Sequence, residues 1–194
     1  MRPIQRNEVL PIGEYESIRP HFRARVIEEK RARRFALGEH MSGVFENRDS
    51  VLLQIQEMLR TERITAENAV LHEITTYNEL VPGEAEVSMT CFVEIPEKAL
   101  REQTLARLAG LEQSFVVEVD GVEFPAKNTR EEDASPDRTT AVHYLKATLS
   151  QEALAAVRAR KAKVAVCVKH PGYPARAELG PSALAALAAD LTPS

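Results

Sequence analysis

Two periods divide the chain. Up to about residue 83 the apolar side chains recur at helical spacing, and beyond it they alternate as strands do. Residues 14–37 are helical in pattern, and Pro20 is expected to divide them, since proline suits a first turn and breaks an interior. "LGEHMSGVFEN" then interrupts the pattern with two glycines. "NRDSVLLQIQEMLRTER" reads as a second helix, with Asn47, Asp49 or Ser50 as its N-cap and Val51, Leu52, Ile55, Met58 and Leu59 as its stripe. A third helix is expected from about Thr65 to Leu80, stopped by Pro82-Gly83.

"AEVSMTCFVEI" alternates, with Val87, Met89, Cys91, Val93 and Ile95 on one face and Phe92 as the apolar exception on the other. "PEKALREQTLARLAGL" follows as a helix started by Pro96, with Leu100, Leu105 and Leu108 as its core side and Gly110 closing it. "SFVVEVDGVEFPA" is a strand, an Asp-Gly turn and a strand. After the polar stretch "NTREEDASPDRT" come the strand "AVHYLKATL", a helix capped by Ser150, the strand "KVAVCVKH", and the tail helix "PSALAALAADL".

Stacked on one another, "VEIPEKALREQTLARLAGLEQSFVVEVDG" and "ATLSQEALAAVRARKAKVAVCVKHPG" share strand, helix start, leucine spacing, strand and glycine turn. Two such β-α-β units joined through a hairpin predict an α+β fold. Its core would be a ferredoxin-like (β-α-β-β-α-β) antiparallel sheet with an extra hairpin strand, packed against an N-terminal helical lobe. A different α+β sheet is the alternative, because the strand at 121–126 must find a place. The lobes are read as residues 1–83 and 84–194, the second carrying the C-terminal helix, within one compact domain.

Composition narrows the function classes. With 44% hydrophobic and 28% charged residues, the chain has the make-up of a globular protein. No apolar run is long enough to span a bilayer, and the start lacks the apolar stretch of a secretory signal, so a cytoplasmic location is expected. A net charge of −4 and 5% aromatic content leave little for nucleic-acid binding. Cys91 and Cys167 stand far apart and on opposite strand faces, which predicts reduced thiols rather than a disulfide or zinc module. No ExxH, HxH or HExxH spacing occurs, and neither a phosphate-binding glycine loop nor a GxSxG elbow is present; no metal or cofactor is expected.

The candidate chemistry centres on Glu73, which falls inside the third helix's apolar stripe. An unpaired carboxylate there must find a cation or give up its charge. Arg19, Arg23, Lys30 and Arg34 share one arc of the first helix and are the expected partners. An intrachain ion-pair network and a functional carboxylate both remain open for Glu73. The strand histidines His143 and His170 would, in the ferredoxin-like order, lie about 10 Å apart with Met89 between them, at a rim completed by Tyr173. Histidines bonded to backbone at a core margin are the competing reading. Arg60, Tyr77 and Asn78 complete the expected ligand-binding surface between the helical lobe and the sheet edge.

"FENRDSVLLQIQEMLRTERI", "YNELVPG", "VHYLK" and "HPGY" resemble the bacterial domain-of-unknown-function family 3501 over nearly the whole chain. The resemblance carries no activity or catalytic residues to transfer. It implies a neighbourhood of rubrerythrin and an iron–sulfur protein, hence a supporting role in redox or peroxide metabolism.

Three readings of function follow. The leading one is a cytoplasmic accessory protein that binds a protein partner or small ligand, with enzymatic activity left open but disfavoured. A metal-dependent oxidoreductase component using Glu73 and the histidines is the second. Nucleic-acid binding through the Arg-rich first helix is the third. A homodimer stays open on general grounds.

Overall fold

The computed structural model describes residues 1–129 and 135–192; the middle of the polar stretch, 130–134, lies outside them. Six α-helices and nine strands appear in the described residues. Three helices build the N-terminal lobe: α1 (Ile12–Arg33), α2 (Arg48–Thr61) and α3 (Glu67–Asn78). Asn47 caps α2, its side chain accepting from the Ser50 amide while Ser50 Oγ accepts from the Asn47 amide. Val51, Ile55 and Leu59 of α2 pack with Val70, Ile74 and Tyr77 of α3, and Ile4 and Val9 of the N-terminal arm close that cluster. Leu53, on another side of α2, meets Tyr15 and Val26 of α1. Thus α2 lies between α1 and α3.

Against expectation, α1 runs unbroken through Pro20. Pro20 is exposed, so the Glu16 carbonyl that loses its amide partner is also on the wet side. Tyr15 and Val26, both buried, anchor the helix on either side. The helix also stops earlier than its pattern predicts. Arg34–Ala36 forms β1, hairpinned to β2 (Met41–Phe45) across the glycine stretch that reads as a mere break. Gly43 is required in β2 because the Phe35 ring lies over it: a Cβ there would sit 2.3 Å from Phe35 Cζ.

The remaining strands are β3 (Glu86–Val93), β4 (Phe115–Val119), β5 (Val122–Pro125), β6 (Lys127–Asn128), β7 (Val142–Thr148), β8 (Val164–His170) and β9 (Tyr173–Glu178). Asp120 and Gly121 both take positive φ in the β4–β5 turn (50° and 83°), as the Asp-Gly signal predicts. Two helices join the strands, α4 (Lys98–Arg107) and α5 (Gln151–Arg158), and α6 (Pro181–Leu191) follows β9. Glu97, rather than Pro96, caps α4 by accepting from the Ala99 and Leu100 amides, and Leu100 is exposed instead of in the core. Ser150 caps α5 as expected.

The fold is α+β, but its strands do not form one ferredoxin-like sheet. One sheet runs β1-β2-β3-β7-β6 and the other β5-β4-β8-β9, all neighbours antiparallel. Both repeat units, β3-α4-β4 and β7-α5-β8, therefore carry the chain from the first sheet to the second. The hairpin strand finds its place at the corner: β5 pairs with β4, the chain turns at buried Ala126, and β6 pairs with β7. Both sheets turn their apolar faces onto one core that includes Phe45, Met89, Cys91 and Leu145 from the first, Phe115, Val117 and Val166 from the second, and Leu105, Leu154 and Leu187 from the helices. At the far side Tyr173 ties β9 to the β1–β2 turn, its hydroxyl donating to the Leu37 carbonyl (2.7 Å) and accepting from the His40 amide (2.9 Å). Gly38, at φ +73°, makes room for it: a Cβ would sit 2.7 Å from the Tyr173 oxygen.

Candidate functional site

The outer face of the first sheet is covered by the helical lobe, and charge gathers at that seam. Glu46 follows β2, its amide continuing the ladder to the Ser88 carbonyl (2.8 Å). Its carboxylate is almost fully buried, with 2% of the side chain exposed. Thr90 Oγ1 donates to Oε1 (2.7 Å); Ser50 Oγ and Gln54 Nε2 donate to Oε2, the latter at 3.1 Å. Lys30 Nζ, from α1, stands 3.7 Å away. A carboxylate held by three neutral donors and a cation is stabilised inside a protein where a bare one is not. Ser42 Oγ and Ser88 Oγ, in the same sheet, are enclosed without partners among the described residues.

Two further pairs cross the lobe and its borders. Arg19 makes a fork to Glu57 of α2 (2.7 and 2.8 Å), which also accepts from the Tyr15 hydroxyl (2.5 Å). The Arg19 guanidinium holds the Glu57 carboxyl far below its ordinary range, at about 2. Arg33, at the end of α1, grips Asp190 of α6 through two hydrogen bonds (2.9 and 2.8 Å), and only about a tenth of either side chain is exposed.

The expectation for Glu73 is corrected. It is half-buried at the margin of the α3 stripe, with no ion pair or hydrogen bond to a described residue. Of the cations proposed for it, Arg19, Arg23 and Lys30 are on α1, which α2 separates from α3, and Arg34 opens β1. Arg19 and Lys30 accordingly find Glu57 and Glu46 instead.

The other predicted site residues are distributed rather than assembled. Arg60 pairs with Glu16 of α1 (2.6 Å). Tyr77 is buried in the lobe core. Asn78 binds the Ile4 backbone in both directions (2.8 and 2.9 Å), fastening the N-terminal arm to α3. His143 lies in the first sheet opposite Cys91, buried 5.4 Å from the Phe115 ring, with Thr139 Oγ1 3.4 Å from Nε2 and Nδ1 without a partner among the described residues. Burial lowers its pKa. His170 ends β8 in the second sheet; Nδ1 accepts from the Gly172 amide (3.1 Å) and Nε2 faces the Ala109 carbonyl (3.2 Å). The histidines thus do not flank Met89 across β3, because β2 and β7 are the neighbours of β3.

Both cysteines are free, on the opposite faces their strand positions predict, and both are buried: Cys91 in the main core, Cys167 in a small cluster with Val116 and Ala165 on the second sheet's other face. Desolvation pushes both thiols up from their ordinary pKa. Among the described residues no group of three or more His, Cys, Asp or Glu is placed to hold a metal, and no helix is long and apolar enough to cross a membrane.

Where the two lobes meet the chain ends, an open cavity of about 430 Å³ is lined by Met1, Arg2, Gly83, Glu84, Arg158, Asp190, Leu191 and Thr192. It gathers the N-terminal arm, the α3–β3 turn and the ends of α5 and α6. Arg158 donates through Nε to the Leu191 carbonyl (2.8 Å), while its Nη2 is enclosed with no partner among the described residues. None of these cavity groups stands out in the sequence. Glu84 and Arg158 sit at element ends a long way apart in the chain, and only the packing of α6 brings them together. Lys30, within the α1 cation arc, is the one participant in the buried network that the wheel pattern points to before the fold is known.

The comparisons with known proteins agree with one another. The chain is similar to a crystal structure of a novel protein of unknown function from Burkholderia pseudomallei K96243. That structure is 31% identical in sequence, covers 98% of this chain and 100% of the other, and superposes with a TM-score of 0.90. No curated protein matches this chain. The model of the family described as protein of unknown function (DUF3501) matches residues 3–191, and the chain belongs to that family.

Proposed function

We propose that the protein is an accessory protein that binds a small ligand at the cavity between its lobes. The observation that carries this reading is the convergence there of four separate segments on a concave space of about 430 Å³, within the usual range for small-molecule sites. Several other chemistry-bearing groups support it by being occupied. Glu46, Glu57 and Asp190 hold cations, His170 holds backbone, and the thiols are buried with raised pKa.

Amide-resolved NMR of the labelled full chain against a panel of small polar and apolar fragments tests the reading. Fragments should shift the Gly83, Glu84, Leu191 and Thr192 amides together. A panel that leaves those four unmoved overturns it.

Support of redox or peroxide metabolism, through rubrerythrin or an iron–sulfur protein, is a further proposal that rests on the family resemblance. Titrating purified rubrerythrin into the same labelled chain should broaden or shift surface amides, and an unchanged spectrum at saturating concentration removes it.

A further inference from the structure

We propose that the groove between the start of α1 and the end of α2 is a second ligand site, one that takes a small oxyanion, a carboxylate or phosphate, on Arg60 and Arg63. The groove has a volume of about 550 Å³ and is lined by Ile12 and Glu16 of α1 and by Arg60, Thr61 and Arg63. It shares no lining residue with the cavity between the lobes, so the inference goes beyond the reading above. Two guanidiniums against one carboxylate leave a positive charge over in the lining. Neighbouring carboxylates do not cancel it. Glu57 of α2 has both oxygens engaged by Arg19 and Tyr15. Glu14 and Glu62 stand two residues from Glu16 and Arg60, about 200° round the helix at about 100° per residue, and neither lines the groove.

The donors are within reach of a ligand. Arg60 gives only Nε to Glu16 (2.6 Å). Its two Nη atoms bond to no described residue, and neither is enclosed. That open edge of the guanidinium is the one that grips two oxygens of a carboxylate or phosphate. Arg63 is exposed, and its side chain has no ion pair or hydrogen bond to a described residue. It stands at φ +53°, just past α2, where helices commonly end on glycine. Glycine would make that turn with less strain; the arginine brings a second cation to the groove instead. A ligand cation would meet both guanidiniums, and a neutral ligand would leave them unpaired. An anion neutralises the surplus and has only to tolerate Glu16, which Arg60 already holds. Were the two arginines mere complements to the carbonyl end of α2, replacing them would change stability without any preference among ligands.

The experiment titrates inorganic phosphate and acetate, with ethylamine and glycerol as controls, into the labelled full chain at constant ionic strength. It follows the Glu16, Thr61 and Arg63 amides and the Arg60 side-chain Nε–H. Phosphate or acetate should bind about tenfold or more tightly than either control; preference for phosphate assigns a phosphate-bearing ligand, and preference for acetate a carboxylate. Arg63→Gly keeps the left-handed turn and should melt no lower than wild type, yet weaken the anion by about tenfold. Glu16→Gln should tighten it, because a like charge is removed and Arg60 Nε is released. Ethylamine binding as well as the better anion, an anion indifferent to Arg63→Gly, or anions that move only the Gly83 and Glu84 amides would each overturn the inference. The last of these outcomes would leave the cavity between the lobes standing as a ligand site, so the two readings fail separately.

Discussion

The helical lobe and the two-sheet body are held together by different physics. In the body one apolar core receives the inward faces of both sheets and three helices, and its largest side chains are wholly enclosed. In the lobe the apolar material is split into two smaller clusters, one on each side of α2. Forked ion pairs and hydrogen-bonded carboxylates fasten α1 to its neighbours instead: Arg19–Glu57 to α2, Lys30–Glu46 to the sheet, Arg33–Asp190 to α6. Apolar burial has no charge for salt to screen or acid to protonate, whereas paired carboxylates do. Acid should therefore loosen the lobe before the body.

Three substitutions sharpen that contrast. Phe115→Ala should cost the most, about 3–5 kcal/mol, because Phe115 is fully enclosed between the sheets; denaturant unfolding should show the same loss at low and high salt. A loss that shrinks with salt would mean that the body, too, leans on charge. Glu57→Gln should cost on the order of 2 kcal/mol near neutral pH, after allowance for the 28% of its side chain that water reaches. Because the folded pKa is depressed to about 2 from 4.5, that stabilisation is complete above pH 4.5 and fades as pH falls toward 2. Wild type and variant melting curves should accordingly converge across that window; parallel curves would show that Arg19–Glu57 contributes nothing through its charge. Glu73→Gln should have the smallest effect, under about 0.5 kcal/mol, since no cation holds that carboxylate. A larger drop in melting temperature would restore it to the buried network.

Much of the body is legible in the chain because each strand and helix announces itself locally. The Asp120-Gly121 turn, the alternation of Val87 to Val93 and the Ser150 cap need only near neighbours. The β1–β2 hairpin is hidden because Gly43 weakens the strand pattern, and its reason, the Phe35 ring above it, belongs to the partner strand. Strand β9 is hidden in "YPARAE", where Pro174 and small alanines mask an edge strand that turns Tyr173, Ala175 and Ala177 inward. The candidate cavity is least legible of all. The wheel arithmetic identifies an arc of cations on α1 and a carboxylate on α3, but it cannot say that α2 stands between them.

By itself the sequence determined the helices α2 to α6, the strands β3, β4, β5, β7 and β8, the wide separation of the two cysteines, and the presence of interior charge seeking a partner. Those properties follow from spacing at 2.0 and 3.6 residues and from the cost of burying an unpaired ion. The tertiary structure alone decided that two sheets replace one, that Glu46 and Glu57 rather than Glu73 receive the cations, and that Arg158 and Glu84 line a common cavity. Pairing of strands and of charges depends on which distant segments lie side by side. Local spacing cannot carry that information, because side chains at identical helical or strand positions are equally able to face any neighbour the fold supplies.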